Sequence, residues 1–257
     1  MPLLELTESE INALIDPILK EIPSQYQILM EATKNISEKK LEKRYIKMHF
    51  SEIVNLVAIE TYSKYKVYQK KASKPLIQSF IQKYLNEIEE NKVESKQLVL
   101  DILEAFIPLA VRFELRLSQM RKSRAGSTFE QIIAHLLKMI DISCEITSTG
   151  NRIKLNRMDI VLPDQNTAIK KPDKAIFLSC KHTLRKRWKQ SIPEQNREWK
   201  MYLITLDKDI PNDKAKEINE HGLIIFVKDE VKAKPHLARK DWIRKLSDLP
   251  SDLILQY

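Results

Sequence analysis

The amino-acid sequence predicts an α+β or α/β chain: an all-helical part, then a part built on a mixed β-sheet sandwiched by helices. Three observations lead there. Apolar residues recur at helical spacing to about residue 118, short runs rich in Ile, Val, Leu and Phe appear only after residue 140, and the excess positive charge is confined to the second part.

In the first part, Ile11, Leu14, Ile15, Ile18 and Leu19, then Ile53, Leu56, Val57 and Tyr65, mark apolar helix faces, and nothing alternates like a strand. Thr7 with Glu10 is a capping-box pair, the hydroxyl capping an orphan amide while the glutamate returns the bond. Further helices are expected at 38–70, 74–91 and 95–121, with Pro75 in a first turn and Glu89-Glu90-Asn91-Lys92 as a connection. The second part reads as a helix at 127–141, strands at 143–149, 157–162, 175–180, 199–205 and 223–227, and helices at 184–192, 212–220 and 239–247. The boundary between the parts is expected at residues 120 and 121.

Composition excludes several classes. Three glycines, Gly126, Gly150 and Gly222, stand too far apart for a dinucleotide-binding loop or a Walker phosphate loop. Cys144 and Cys180 form no CxxC pair and no disulfide framework, and five scattered histidines show no zinc spacing. Without a signal pattern or an 18-residue apolar run, the expectation is a soluble cytoplasmic protein that does not engage a membrane. The net charge of +9 is uneven: residues 1–120 carry 17 Lys and Arg against 17 Asp and Glu, whereas residues 121–257 carry 27 against 18. A basic excess held in one domain is the footprint of a polyanion binder, because neutralised phosphates release condensed counterions; a solvated lysine-rich surface is the plainer alternative.

Asp159 stands at the start of one expected strand and Lys181 at the end of the next. On neighbouring strands they would converge on a phosphate, the carboxylate holding Mg²⁺ and the ammonium steadying an attacking hydroxide, although a plain salt bridge would use the same residues. Mg²⁺ is usually held by one or two carboxylates plus substrate oxygens, and Ser179 cannot supply a second charge. Glu194 and Glu130 are the two candidates for it, each also readable as an exposed helical glutamate. The densest feature is Arg185-Lys186-Arg187-Trp188-Lys189, where arginine forks suit guanine O6 and N7 and lysines suit phosphates; a solvated basic helix face is the alternative. Arg124 belongs to a second basic run that contacts phosphates or joins the two parts, and lone His182 is given no catalytic role.

Three blocks, Arg121–Glu130 (RKSRAGSTFE), Arg157–Pro163 (RMDIVLP) and Ser179–Glu194 (SCKHTLRKRWKQSIPE), together resemble the restriction endonucleases of the EcoRII and NgoMIV type, a branch of the PD-(D/E)XK nuclease superfamily. The resemblance covers residues from about 121 to 228. It implies that 121–257 is the catalytic DNA-cleavage domain and 1–120 an accessory or dimerisation domain. In that branch the second acidic ligand is displaced onto the following helix, so Asp159 and Glu194 would hold Mg²⁺, Lys181 would orient the water, and Glu130 would be an auxiliary acid. Arg185 and Arg187 would read guanines, with Lys186, Lys189 and Arg124 as further DNA contacts. The family places an acidic residue between the two arginines, and Lys186 has donors only, so it cannot accept from cytosine N4. Another dinucleotide, a Lys186 turned to phosphate, and altered specificity all fit.

The resemblance implies a type II restriction endonuclease: Mg²⁺-dependent hydrolysis of double-stranded DNA at a short palindrome, leaving 5′-phosphate and 3′-hydroxyl ends, by a homodimer with a cognate DNA methyltransferase beside it. A repair or recombination nuclease on the same fold, or a non-catalytic DNA-binding module, are the alternatives. For the charge-balanced helical part, dimerisation through Leu98, Ile102, Phe106 and Leu109 is weighed against plain core packing of that stripe.

Overall fold

A computed structural model describes residues 6–90, 95–151, 153–155, 157–184 and 199–255, with the side chains of all of these but 85–90 and 95–96. It divides into two compact units, Met1–Ile28 with Thr61–Arg124, and Leu29–Glu60 with Ala125–Tyr257. Residues 29–60 therefore belong with the β-sheet rather than with the rest of the helical part. None of the described helices is long and apolar enough to cross a membrane.

The first unit is helical. Helix α1 (Glu8–Lys20) opens on the expected capping box, Glu10 N donating to Thr7 Oγ1 at 3.3 Å and Thr7 N to Glu10 Oε2 at 2.9 Å. Lys83 Nζ lies 2.5 Å from the same glutamate, and that bond first, then those from Thr7, holds the Glu10 carboxyl down at about 2. Ile11, Ile15 and Ile18 pack with Ala72, Leu76, Phe80, Tyr84, Leu109, Phe113 and Leu117.

Helices α2 (Gln25–Thr33), α3 (Glu38–Leu41) and α4 (Lys43–Met48) lead into two long helices that run through both units, α5 (Phe50–Glu90) and α6 (Ser95–Met139). Two sequence expectations change here. The single helix expected at 38–70 is three separate segments, and the break before Pro75 is absent: α5 continues through the proline. An interior proline costs roughly 3 kcal/mol, and the buried stripe Ala72, Leu76, Phe80 and Tyr84 keeps its register on both sides of it, which offsets that loss. Likewise α6 runs unbroken over the boundary expected at residues 120 and 121, joining the helices expected at 95–121 and 127–141. Leu109 is fully buried, with Ile102 and Phe106 packed against its cluster, so most of the stripe weighed for dimerisation is core.

The second unit carries strands β1 (Glu145–Ile146), β2 (Ile160–Leu162), β3 (Ile176–Lys181), β4 (Lys200–Thr205), β5 (Ile224–Val227) and β6 (Ile243–Lys245), adjacent in chain order. The pairs from β1 to β3 are antiparallel and those from β3 to β6 parallel. Strand side chains alternate between faces. Ile160, Leu162, Ile176, Leu178, Cys180, Ile204 and Phe226 face one core with Phe50, Ile53, Val57, Phe129, Ile133 and Leu137 of α5 and α6. On the other face, Leu203, Ile225 and Val227 pack under α8 (Asn212–Glu220), α9 (Asp229–Lys232) and α10 (Pro235–Ala238), and Val161 and Phe177 pack against α7 (Gln165–Lys170). The helix-flanked mixed sheet is thus as expected.

Details differ. The helix expected at 239–247 is instead β6, because pairing with β5 hydrogen-bonds this short segment while burying Ile243; helix α11 (Leu249–Ile254) follows. Helix α7 was not anticipated, although Asp164, whose carboxylate accepts Thr167 N at 2.7 Å, is an N-cap signal. Gly222, at φ +67°, ends α8 with Leu223 N donating to Ile218 O at 3.2 Å, a left-handed cap that favours glycine. Thr7→Ala is expected to lower stability by about 1 kcal/mol. Because folding depresses the Glu10 carboxyl, its contribution is present above the ordinary value of 4.5 and lost as pH falls towards about 2; far-UV circular dichroism across that window should show a shallower acid loss in Glu10→Gln.

Candidate active site

Asp159 ends the turn ahead of β2 and is held as an extension of the ladder, its N–H donating to Leu178 O at 3.1 Å and its carbonyl accepting Thr147 N at 3.0 Å. The β2–β3 register pairs Ile160 with Leu178, which sets Asp159 opposite Ser179. The two-residue strand period then puts Lys181 on the same face as Ser179, diagonal to the carboxylate. Asp159 Oδ2 accepts from Lys181 Nζ at 2.7 Å, from Cys180 N at 2.7 Å and from Ser179 Oγ at 3.4 Å. The side chains are 6% and 20% exposed for Asp159 and Lys181, so this is a largely buried ion pair. Such a carboxylate is tolerable only because each donor replaces water that burial removed.

Cys180 turns to the opposite face and its thiol is pushed well above the ordinary range, first by burial and then by the negative charges of Asp159 and Glu130. It stays protonated and packs as a small hydrophobe. Glu130 is 8% exposed on α6, between residues packed on the strands, and its charge is among those that raise the Cys180 thiol. His182 is shifted towards its neutral form, first by burial and then by Lys228, against the opposing pull of Asp207, and its ring meets Phe129 edge-on at 6.3 Å.

Glu194, Arg185, Lys186, Arg187 and Lys189 lie outside the described residues. Arg124 is half-buried in the helical unit, donating to Pro23 O at 2.8 Å with its guanidinium 5.1 Å over the Tyr65 ring. Three contributors had no clear sequence signal. The Cys180 amide is backbone, and Asp207 and Lys214 reach the chain just beyond β3, Leu184 N donating to Asp207 Oδ2 and Lys214 Nζ to Leu184 O, both at 2.8 Å.

Among the described residues no three His, Cys, Asp or Glu side chains cluster as a metal site. The donor chemistry nevertheless suits a hard cation. Continuing the β1–β2 register pairs Thr147 with Asp159 on one face, and the Thr147 hydroxyl is buried without a hydrogen-bond partner among the described residues. A buried orphan hydroxyl in line with a carboxylate and the Ser179 hydroxyl leaves room in the bonding scheme for a water or ion, and Mg²⁺ takes oxygen ligands from one or two carboxylates.

A family model described as EcoRII C terminal matches residues 86–249. The chain is 28% identical over 130 residues to the type II restriction enzyme SsoII of Shigella sonnei, covering 47% of this chain and 43% of that protein. It is 43% identical over 60 residues to an uncharacterized protein in the DsaVM 5′ region of Dactylococcopsis salina, covering 23% of this chain and 50% of that one. The matched spans are thus half or less of these relatives' lengths. In fold it resembles metal-depleted Ecl18kI in complex with uncleaved DNA, with TM-score 0.79 and 18% identity over 98% of this chain and 85% of that one. It also resembles the PspGI–substrate DNA complex, with TM-score 0.63 and 18% identity over 93% and 95%.

Thr147→Val replaces the orphan hydroxyl by a methyl of like size, so differential scanning calorimetry without metal should find the melting temperature unchanged or raised. The rise in melting temperature caused by added Mg²⁺ should shrink, and Thr147→Ser should restore it.

Proposed function

The chain belongs to the EcoRII C-terminal family, and from that premise we propose that it is a type II restriction endonuclease that hydrolyses double-stranded DNA at a short palindrome. The observation that carries this reading is the buried Asp159–Lys181 pair at 2.7 Å on adjacent strands, at the point where the chain leaves β3 for the basic run 185–189. Asp159 and Glu194 would hold Mg²⁺, which when bound supplies Lewis-acid polarisation of the phosphate and a more acidic water. Lys181 orients the attacking water and neutralises charge developing on the phosphoryl oxygens. As the new O–P bond forms, the P–O3′ bond breaks, leaving a 5′-phosphate and a 3′-hydroxyl, with Glu130 as an auxiliary acid in the same locality.

Arg185 and Arg187 are the base readers in this reading, with Lys186 and Lys189 as phosphate contacts. Arg124 is the weakest of the DNA contacts, since its guanidinium is engaged by Pro23 and Tyr65. The cleavage role expected for residues 121–257 goes with the sheet-bearing unit, residues 29–60 with 125–257, and the accessory role expected for 1–120 with residues 1–28 and 61–124. A cytoplasmic setting, with a cognate methyltransferase protecting host sites, belongs to the same proposal.

The homodimer is supported by a different face of α6 from the one the sequence suggested. Val99, Leu103, Ile107, Val111 and Leu115 are 47–64% exposed and form one i, i+4 ridge. An antiparallel second copy centred on Ile107 sets Leu103 against Val111, so the middle of the ridge is self-complementary, as a two-fold interface requires. The ridge offers on the order of 500 Å² of apolar area, and two copies with flanking residues approach the roughly 1,200 Å² at which stable interfaces begin.

Plasmid DNA incubated with the protein should give discrete fragments with Mg²⁺ and none with EDTA, and sequencing the ends should return one common site. Asp159→Ala and Lys181→Ala should each lower the cleavage rate by roughly 10³-fold or more with the fold retained. Full activity in either would remove the site assignment, and an inactive Glu130→Ala beside an active Glu194→Ala would exchange the roles of the two glutamates. A smear would indicate a structure-directed nuclease, and binding without cutting a DNA-binding module. Sedimentation equilibrium should find a dimer that Ile107→Glu converts to monomer.

A further inference from the structure

We propose that Asp207 and Lys214 are positioning residues for DNA recognition, acting through the peptide of Leu184. Leu184 is fully buried among Ile210, Ala215 and Ile218, and both of its backbone polar groups are taken by side chains from elsewhere in the chain: its N–H by Asp207 Oδ2 and its carbonyl by Lys214 Nζ of α8, each at 2.8 Å. Asp207 is itself set in place, its N–H donating to Thr205 Oγ1 at 3.1 Å and its Oδ1 accepting Lys208 N at 3.2 Å. Thr205 is fully buried and pairs with Lys181 in the β3–β4 register. One connected set of bonds therefore runs from the strand end that presents Lys181 to the residue immediately before Arg185.

The charge of Asp207 argues for this role. A carboxylate near a surface that must attract phosphate opposes that attraction, so on electrostatics alone its removal would strengthen binding to any DNA. Its place here is explained by the bond it makes: charge-assisted hydrogen bonds to backbone N–H are among the stronger ones a side chain can offer. Fixing the exit of the chain from β3 sets the origin from which the basic side chains of 185–189 reach the bases, and a base contact made at the wrong distance loses its discrimination while phosphate attraction persists. The inference rests on the proposed DNA-reading role of that run and adds to it a residue of opposite charge.

The two effects of Asp207 have opposite signs, which makes the test discriminating. A pool of randomised duplexes is equilibrated with the full chain in EDTA, the bound fraction is sequenced, and the dissociation constants for the recovered motif and for a scrambled duplex are measured. Asp207→Ala should bind the scrambled duplex as well as or better than wild type, yet bind the motif on the order of tenfold more weakly, and circular dichroism should find it folded at the assay temperature. Asp207→Asn keeps an acceptor for Leu184 N and should retain the wild-type ratio of motif to scrambled affinity. Lys214→Met should lower that ratio as well. An unchanged ratio in Asp207→Ala, or equal loss of affinity for both duplexes, overturns the positioning role. A wild-type chain that enriches no motif overturns the DNA-reading role of 185–189 and this inference with it.

Discussion

A carboxylate buried between two strands is the constraint around which the second unit is organised. Asp159 is 4% exposed, and an ionised carboxylate there is sustained only by donors that the β2–β3 register delivers. Ser179 comes from the position opposite, Lys181 from two residues further on, and the Cys180 amide from between them. A slip of one residue would put Cys180 and His182 on the carboxylate's face and Ser179 and Lys181 in the apolar core. The hydrophobic alternation of β3, with Ile176, Leu178 and Cys180 packed under α5 and α6, therefore guards the polar constellation as much as it builds the core.

The layers divide the work. The face under α5 and α6 is mainly apolar, and Cys180, whose thiol burial holds protonated, contributes volume rather than chemistry there. The opposite face carries apolar clusters beneath α7 and α8–α10, and between their strands the row of Thr147, Asp159, Ser179 and Lys181 holds the polar groups. Parallel strands β3, β4 and β5 all end on one edge, and Lys181, Asp207 and Lys228 follow from those ends. Loops at the carboxyl ends of parallel strands are the usual place for a binding site, because adjacent strands deliver side chains there without sharing the sheet's own hydrogen bonds.

Electrostatics separates roles along the chain. The helical part is charge-balanced and makes most of its described ion pairs within itself, as Glu10 does with Lys83 and Arg112 with Glu8. The basic excess lies beyond residue 120, so long-range attraction for a polyanion belongs to the sheet-bearing part. Within it the acidic side chains with described contacts are committed: Asp159 to Lys181, Asp207 to a backbone amide, Asp252 to Arg244 and Asp209 to Lys234.

By itself the sequence determined the helical part, the mixed sheet between helices and the Thr7–Glu10 cap, because each is written in local periodicity or short spacing that packing then left undisturbed, and it marked Asp159 and Lys181 as candidates on successive strands. Tertiary structure decided the rest. Local signals put a helix start at Pro75 and a break after residue 121, yet α5 and α6 run through both, and across Pro75 a buried stripe several turns long outweighs one lost hydrogen bond. A segment around Ile243 with a helical look became β6 because β5 offered it a ladder. Burial of Leu109 among the helices chose which stripe of α6 is core and which is exposed. The bond from the Cys180 amide to Asp159, the placing of Thr147 beside it and the clamp on Leu184 arise only by juxtaposition: they join residues distant in the chain, and no local pattern encodes a contact that exists only once the strands are in register.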